Sequence, residues 1–286
     1  MKLGIIVPSN NPIAGWEKHF FKTLHTLGPL LERHEVRVLL NAQPPWTPDR
    51  LAWNGELTRQ LGFGFEGVFT ELDPVPSGIE NAPMCWLRGS CALLWPAADV
   101  YMFADDNLVF NGTGTKKYPR PSWQRYDEVL DYMETFPNCG SVQCQGFFGG
   151  HNQGLQIRPS MNGLISTSVG LFVRNIFDGH LYTHGQMALT GPLEETICVY
   201  SIVAEGFFHA RQFNNPTRHK MGRHDLSERT EALRIEYGDP TWSHDSKRFP
   251  ESIMRSYRDN GGDSGAMPLR SGEYCVEVRS RFTKGK

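Results

Sequence analysis

Asp99 to Phe110 reads D-V-Y-M-F-A-D-D-N-L-V-F, and the choice of fold turns on this stretch. Val100 to Ala104 is an unbroken apolar run with the length and composition of a strand buried on both faces. It stops at two adjacent carboxylates and an amide, Asp105, Asp106 and Asn107. Charged side chains are seldom left at the end of a buried strand without a partner. In an open α/β sheet, ligands bind at the carboxyl ends of the strands. A short acidic cluster there supplies hard oxygen ligands for a divalent cation that bridges to phosphates. The other reading is a solvated turn whose side chains accept hydrogen bonds from the local backbone.

Upstream, Leu3 to Val7 (LGIIV) is a first short apolar strand that breaks at Pro8-Ser9-Asn10-Asn11-Pro12. Trp16, Phe20, Leu24, Leu27 and Leu31 recur at steps of three and four, the stripe of an amphipathic helix that Gly28-Pro29 should end or kink. Val36 to Leu40 is the second strand. Strand, helix, strand at this spacing is a βαβ unit, whose right-handed crossover implies parallel strands. Residues 44 to 82 are rich in Pro, Gly and Trp, with Gly67 to Leu72 as a short third strand. Asn81-Ala82-Pro83 then opens a helix with Met84, Leu87, Cys91 and Leu94 on one face and Arg88 beside it, directly ahead of the acidic strand.

Downstream, Ser122 opens a helix with Val129, Leu130, Met133 and Phe136 on its buried side, and Cys139 to Cys144 forms a strand. Glycine-rich residues 146 to 154 follow, with His151, Asn152 and Gln153 as candidate hydrogen-bonding groups, joined by Asn162. Gly163 to Val173 is apolar and small, enough for one or two strands. Thr190 or Gly191 caps a late helix, Pro192 fits its first position, and Leu193, Ile197, Tyr200 and Ala204 keep helical spacing. Glu194 and Glu195 therefore sit in its first turn, where acids complement the helix dipole whether or not they do chemistry. Gly206 to Phe213 follows as a strand.

The chain has 286 residues, 39% hydrophobic and 12% aromatic, which is ample for a sizeable core. Its net charge of −2 creates no global field for polyanions. The charge is uneven, however: Asn214 to Lys286 carries 14 Lys and Arg against 11 Asp and Glu. Six cysteines without a C-x-x-C pair indicate neither a zinc knuckle nor a disulfide framework. Leu3 to Val7 is too short for a signal-peptide core, and no apolar run approaches membrane-spanning length, so a cytoplasmic protein is expected, the cytoplasm of a host cell included. Neither G-x-G-x-x-G nor G-x-x-x-x-G-K-[ST] occurs.

A nucleotide-binding βαβ unit, a helix carrying Arg88 and an apolar strand running into D-D-N together resemble the GT-A family of nucleotide-sugar glycosyltransferases. That family's marker is a D-x-D-like motif at this place. Here it stands as Asp105-Asp106-Asn107, with an Asn as third member, or shifted so that Asp106 is its last acid. The resemblance implies an α/β fold, a GT-A-like, Rossmann-type, mostly parallel mixed sheet flanked by helices. The domain would cover residues 1–224, with 1–110 as the nucleotide-sugar half and 111–224 as the acceptor half. A helical C-terminal extension, 225–286, would pack on it. The resemblance further implies a Mn2+ or Mg2+ ion held by Asp105, Asp106, Asn107 and a late histidine, His219 first and His224 second. Pro8, Ser9 and Asn10 would meet the base or ribose, unless they form a plain turn. Arg88, Asp105, Lys220 and Arg223 would serve the diphosphate, though a helix arginine is also commonly just solvated. Glu195, or else Glu194, would be the base.

The implied reaction moves a sugar from a nucleoside diphosphate sugar, a UDP-sugar foremost, to an acceptor hydroxyl. Virally encoded GT-A enzymes that glycosylate hydroxymethylated pyrimidines in DNA are small, soluble and cytoplasmic, and this chain is similar to them in size and in its basic C-terminal third. Double-stranded DNA is therefore the expected acceptor, with a glycan or small molecule as the alternative. A nucleotidyltransferase would share the βαβ site and the acids but carry a basic, Gly-rich loop where this chain has Ser-Asn-Asn-Pro. A non-catalytic carbohydrate- or DNA-binding module would need neither the acidic cluster nor the Glu pair.

Overall fold

The computed structural model of the chain describes residues 1–9, 19–42, 62–69, 84–114, 119–146, 157–159, 167, 169–181, 195, 198–199, 202–203 and 205–219. Strand β1 (Lys2–Ser9) is buried at every residue after Lys2, which is why its sequence is continuously apolar rather than alternating. It pairs in parallel with β2 (Glu35–Ala42) on one side and with β4 (Val100–Phe103) on the other. β3 (Gly64–Phe69) adds to β2, again in parallel. Beyond β4 come β8 (Leu171–Arg174), β6 (Cys139–Cys144), β9 (Phe208–Gln212) and β7 (Ile157–Pro159), giving the order β3-β2-β1-β4-β8-β6-β9-β7. β8 is antiparallel to both of its neighbours, β6 and β9 are parallel, and β7 is antiparallel to β9. The expected mostly parallel mixed sheet is present. A second sheet of two short strands, β5 (Leu108–Val109) and β10 (Arg218–His219), lies beside it.

Helices cover both faces. On one, α1 (Phe20–Leu24), a 3-10 segment (His25–Glu32) and α3 (Ser122–Thr135) pack on Leu3, Ile5, Val38, Met102 and Phe172. On the other, α2 (Met84–Leu93) and the late helical residues Cys198, Val199 and Ile202 pack on Ile6, Leu39, Phe103 and Leu171.

Several boundaries differ from the expectation. Among the described residues, the helix read from Trp16 to Leu31 is α-helical over Phe20–Leu24 and continues as the 3-10 segment, with Pro29 inside it. Proline offers no N–H and crowds the carbonyl four residues back, so the coil tightens instead of extending. Trp16 lies outside the described residues. β3 starts three residues before the expected Gly67, and Glu71 and Leu72 lie outside the described residues. Among the described residues of the small apolar stretch Gly163 to Val173, pairing begins at Leu171. The extension from 225 onward lies outside the described residues. Cys91, Cys139 and Cys144 are free thiols, and all three are buried, as is Cys198. Burial pushes the Cys139 thiol up to about 12, the behaviour of a packing residue. Among the described residues no helix is long and apolar enough to cross a membrane.

Candidate functional site

β1 leads to β2 on one side, and the chain returns from β3 to β4 on the other side of β1. The direction of winding thus reverses between β1 and β4, and a crevice opens at their carboxyl ends. Ile6 lies opposite Phe103, so Ser9 at the end of β1 and Asp106 just past β4 reach the same level. Ser9 Oγ donates to Asp106 Oδ2 at 2.8 Å. The Leu108 amide donates to the Asp105 carbonyl at 3.1 Å and closes the acidic turn, while the Phe20 amide donates to the Asp106 carbonyl at 3.2 Å and ties the turn to α1. Asn107 Oδ1 is buried with no hydrogen-bond partner among the described residues. In the two-stranded sheet His219 is the partner of Leu108, so the backbone of His219 runs beside the residue that follows Asn107.

Arg88, from the middle of α2, is only 1% exposed. It donates through Nη1 to Glu195 Oε1 at 2.9 Å and through Nη2 to Asp105 Oδ1 at 3.2 Å. Its guanidinium carbon stands 5.2 Å from the Phe103 ring centroid. Thr167 Oγ1 donates to the other Asp105 oxygen, Oδ2, at 3.0 Å. One cation between two carboxylates in a dry setting holds both in place, and removing one member of such a pair typically costs about 3–5 kcal/mol. The helix that carries Arg88 is itself pinned: Asn41 on β2 donates to Ser90 Oγ at 2.8 Å and to the Leu87 carbonyl at 3.4 Å. Gly170, at φ +131°, lets the chain turn from Thr167 into β8. A Cβ there would approach Met102 Cε at 2.9 Å.

Of the residues singled out in the sequence, Ser9, Arg88, Asp105, Asp106, Asn107 and Glu195 meet at this crevice, with the His219 backbone beside it. Pro8 is buried in β1 opposite Asn41. Asn10, Glu194, Lys220, Arg223 and His224 lie outside the described residues. Arg88, expected at the diphosphate, has Nη1 on Glu195 and Nη2 on Asp105. Thr167 and Asn41 were not legible: each is one polar residue in or beside an apolar run, and its role depends on a partner far away in sequence.

No protein-family model matches the sequence, and no curated protein does. Solved structures do match. The mannosyltransferase PcManGT from Pyrobaculum calidifontis, in complex with GDP-Man and Mn2+, aligns with a TM-score of 0.51 at 12% identity over 98% of this chain and 75% of its own. The fold is GT-A. Glucosyl-3-phosphoglycerate synthase from Mycobacterium tuberculosis aligns with a TM-score of 0.46 at 14% identity, over 82% of this chain and 76% of that one. A protein from Bacillus anthracis described as a glucose-1-phosphate thymidylyltransferase gives 0.47 at 12%, over 85% and 98%. At such identities the likeness is one of GT-A architecture, and the chemistry rests on the residues of the crevice.

Proposed function

We propose that the chain is a metal-dependent glycosyltransferase that moves a sugar from a nucleoside diphosphate sugar, a UDP-sugar foremost, to an acceptor hydroxyl. The observation that carries this reading is the meeting of Ser9, Asp105, Asp106 and Asn107 with the Arg88–Glu195 pair at the point where the sheet reverses its winding. Mn2+ or Mg2+ fits this place. Asp106 offers a carboxylate, and Asn107 Oδ1 is a buried acceptor that no described residue satisfies, both of them hard oxygen donors. Among the described side chains no three His, Cys, Asp or Glu residues assemble a complete metal site, so the remaining ligands would come from β10, with His219 the proposed one and His224 its alternative, and from the donor's phosphates. Bound there, the ion supplies charge stabilisation to the departing diphosphate.

Asp105 is held on both oxygens by Arg88 and Thr167, and we assign it to shaping the turn and meeting the donor rather than to direct ligation. Arg88 acts by position, fixing Asp105 and Glu195 together. The diphosphate contacts then fall to Lys220 and Arg223, and the base or ribose to Pro8, Ser9 and Asn10. Glu195 is the base: its Oε1 takes Arg88, so Oε2 is the atom that receives the acceptor's proton, with Glu194 the alternative. For the acceptor we propose 5-hydroxymethylpyrimidine in double-stranded DNA, a cytoplasmic reaction, supported by the chain's basic C-terminal third.

Incubating the purified chain with Mn2+ and a panel of radiolabelled nucleoside diphosphate sugars tests this. Metal-dependent turnover of one donor is expected, abolished by EDTA and reduced on the order of 100-fold in Asp106→Asn. No turnover of any donor sinks the enzyme assignment. Transfer to simple sugars but not to hydroxymethylcytosine DNA sinks the DNA acceptor alone.

A further inference from the structure

His19 stands immediately before α1, and its backbone is tied to the acidic turn and to the residues that follow it. The Phe20 amide that donates to the Asp106 carbonyl belongs to the peptide bond between His19 and Phe20, and that carbonyl to the one between Asp106 and Asn107. The His19 carbonyl accepts the Thr23 hydroxyl at 3.1 Å, and the Thr23 oxygen in turn accepts the Phe110 amide at 3.0 Å. With 3.2 Å between Phe20 N and Asp106 O, the α-carbons of His19 and Asn107 are at most about 8 Å apart by standard bond lengths. One ion at ordinary metal–ligand distances of about 2–2.5 Å from each side chain spans such a gap.

Both side chains carry a buried polar atom left over. His19 Nδ1 and Asn107 Oδ1 are buried, and neither has a hydrogen-bond partner among the described residues. A polar side chain at the residue before a helix commonly bonds to an amide of the first turn; His19 does not. A buried polar atom left unpaired is costly. Here one nitrogen and one oxygen of this kind belong to residues that flank a single backbone contact, beside the Asp106 carboxylate. Asp105 turns to Arg88 and Thr167. The donor set is therefore one imidazole, one carboxylate and one amide oxygen, which is why no trio of His, Cys, Asp or Glu marks it among the described residues.

We propose that His19 is a further ligand of the divalent ion, through Nδ1 and together with Asp106 and Asn107, and that it gives the site its preference for Mn2+ over Mg2+. The inference rests on the metal-dependent reading above. Carboxylate and amide oxygens serve Mg2+ and Mn2+ alike, whereas an imidazole nitrogen favours a transition metal over Mg2+, which holds its oxygen ligands and waters. A site of oxygens alone has no such bias, so the nitrogen from His19 decides it. In the sequence His19 lies in no motif and carries no mark of this role.

Ion binding by the full-length chain in the presence of UDP tests this. Mn2+ affinity is read by electron paramagnetic resonance and Mg2+ affinity by competition against Mn2+, for the wild type, His19→Ala and His19→Asp. Thermal melting without ions checks folding, and calorimetry follows UDP without ions. We expect His19→Ala to weaken Mn2+ about tenfold or more and Mg2+ by less than about twofold, and His19→Asp to bind Mg2+ at least as tightly as the wild type. Unchanged Mn2+ affinity in His19→Ala overturns the proposal and leaves the glycosyltransferase reading standing. An equal loss of both ions overturns it too, since a merely structural role would weaken them alike. So does a loss of ion-free UDP binding with Mn2+ affinity unchanged, which would put His19 on the donor. Mn2+ held through His19 in a chain that turns over no sugar nucleotide supports the ligand and overturns the glycosyltransferase reading alone.

Discussion

At the scale of single residues, Arg88 is the position where a side chain's partners matter most. In the sequence it is a helix arginine beside an apolar stripe, compatible with solvent or with a phosphate. Its partner Glu195 is 107 residues away and Asp105 is 17, so no local pattern reports the pairing. The buried fork makes two charge-assisted hydrogen bonds at once, which a lysine cannot reproduce. Arg88→Gln should therefore destabilise the protein by about 3 kcal/mol in urea unfolding, because two carboxylates lose their counter-charge. Arg88→Lys should recover part of that stability but little donor turnover, since one ammonium cannot align Glu195 and Asp105 together. Equal turnover in Arg88→Lys and wild type would remove the positioning role. Asp105, Asp106 and Asn107 were visible in sequence because acids at a strand tip break the burial rule; Thr167 breaks no rule and was not.

Among the elements, the two-residue strands β5 and β10 have the greatest consequence for their length, because they bring residues near 219 to the acidic turn. Neither is long enough to show a period. What holds β10 is a buried polar network on α3. The Tyr126 hydroxyl lies 2.6 Å from the Val169 carbonyl and 2.8 Å from Thr217 Oγ1, and Thr217 Oγ1 in turn donates to Ser122 Oγ at 2.8 Å. Asn215 accepts from the Thr217 amide at 3.0 Å and donates to Gln212 at 2.9 Å, and Gln212 donates to the Arg125 carbonyl. Burial pushes the Tyr126 phenol well above its ordinary range, so it remains a donor at any working pH. Tyr126→Phe should cost about 1–3 kcal/mol, the cost of leaving buried partners unpaired. It should also weaken Mn2+ binding, read by isothermal titration, because Thr217 is two residues before His219. Unchanged Mn2+ affinity in a destabilised Tyr126→Phe would show that β10 contributes nothing to the ion.

For the molecule as a whole, stability should carry an acid signature from His209. Its ordinary value is 6.5 and burial lowers it to about 3, so below 6.5 the unfolded chain takes a proton that the folded chain refuses. Stability from this group is full above 6.5 and falls as the pH drops toward 3, with a limiting slope of about 1.4 kcal/mol per pH unit. Urea midpoints compared at pH 7 and pH 5 should show that loss in the wild type and a smaller one in His209→Gln; identical losses would mean the imidazole is protonated in the folded state. The sequence on its own settled the alternation of strands and helices, the parallel βαβ start, the D-D-N turn at a strand tip and a helical Glu195. These follow from the spacing of apolar side chains and from residues that cannot be buried alone, both local properties. Tertiary structure alone decided that Arg88 joins Glu195 to Asp105, that His219 runs beside Leu108, and that His19 stands beside the acidic turn. Periodicity records which face of an element is covered, whereas strand register and helix docking, set by contacts between distant segments, decide what covers it.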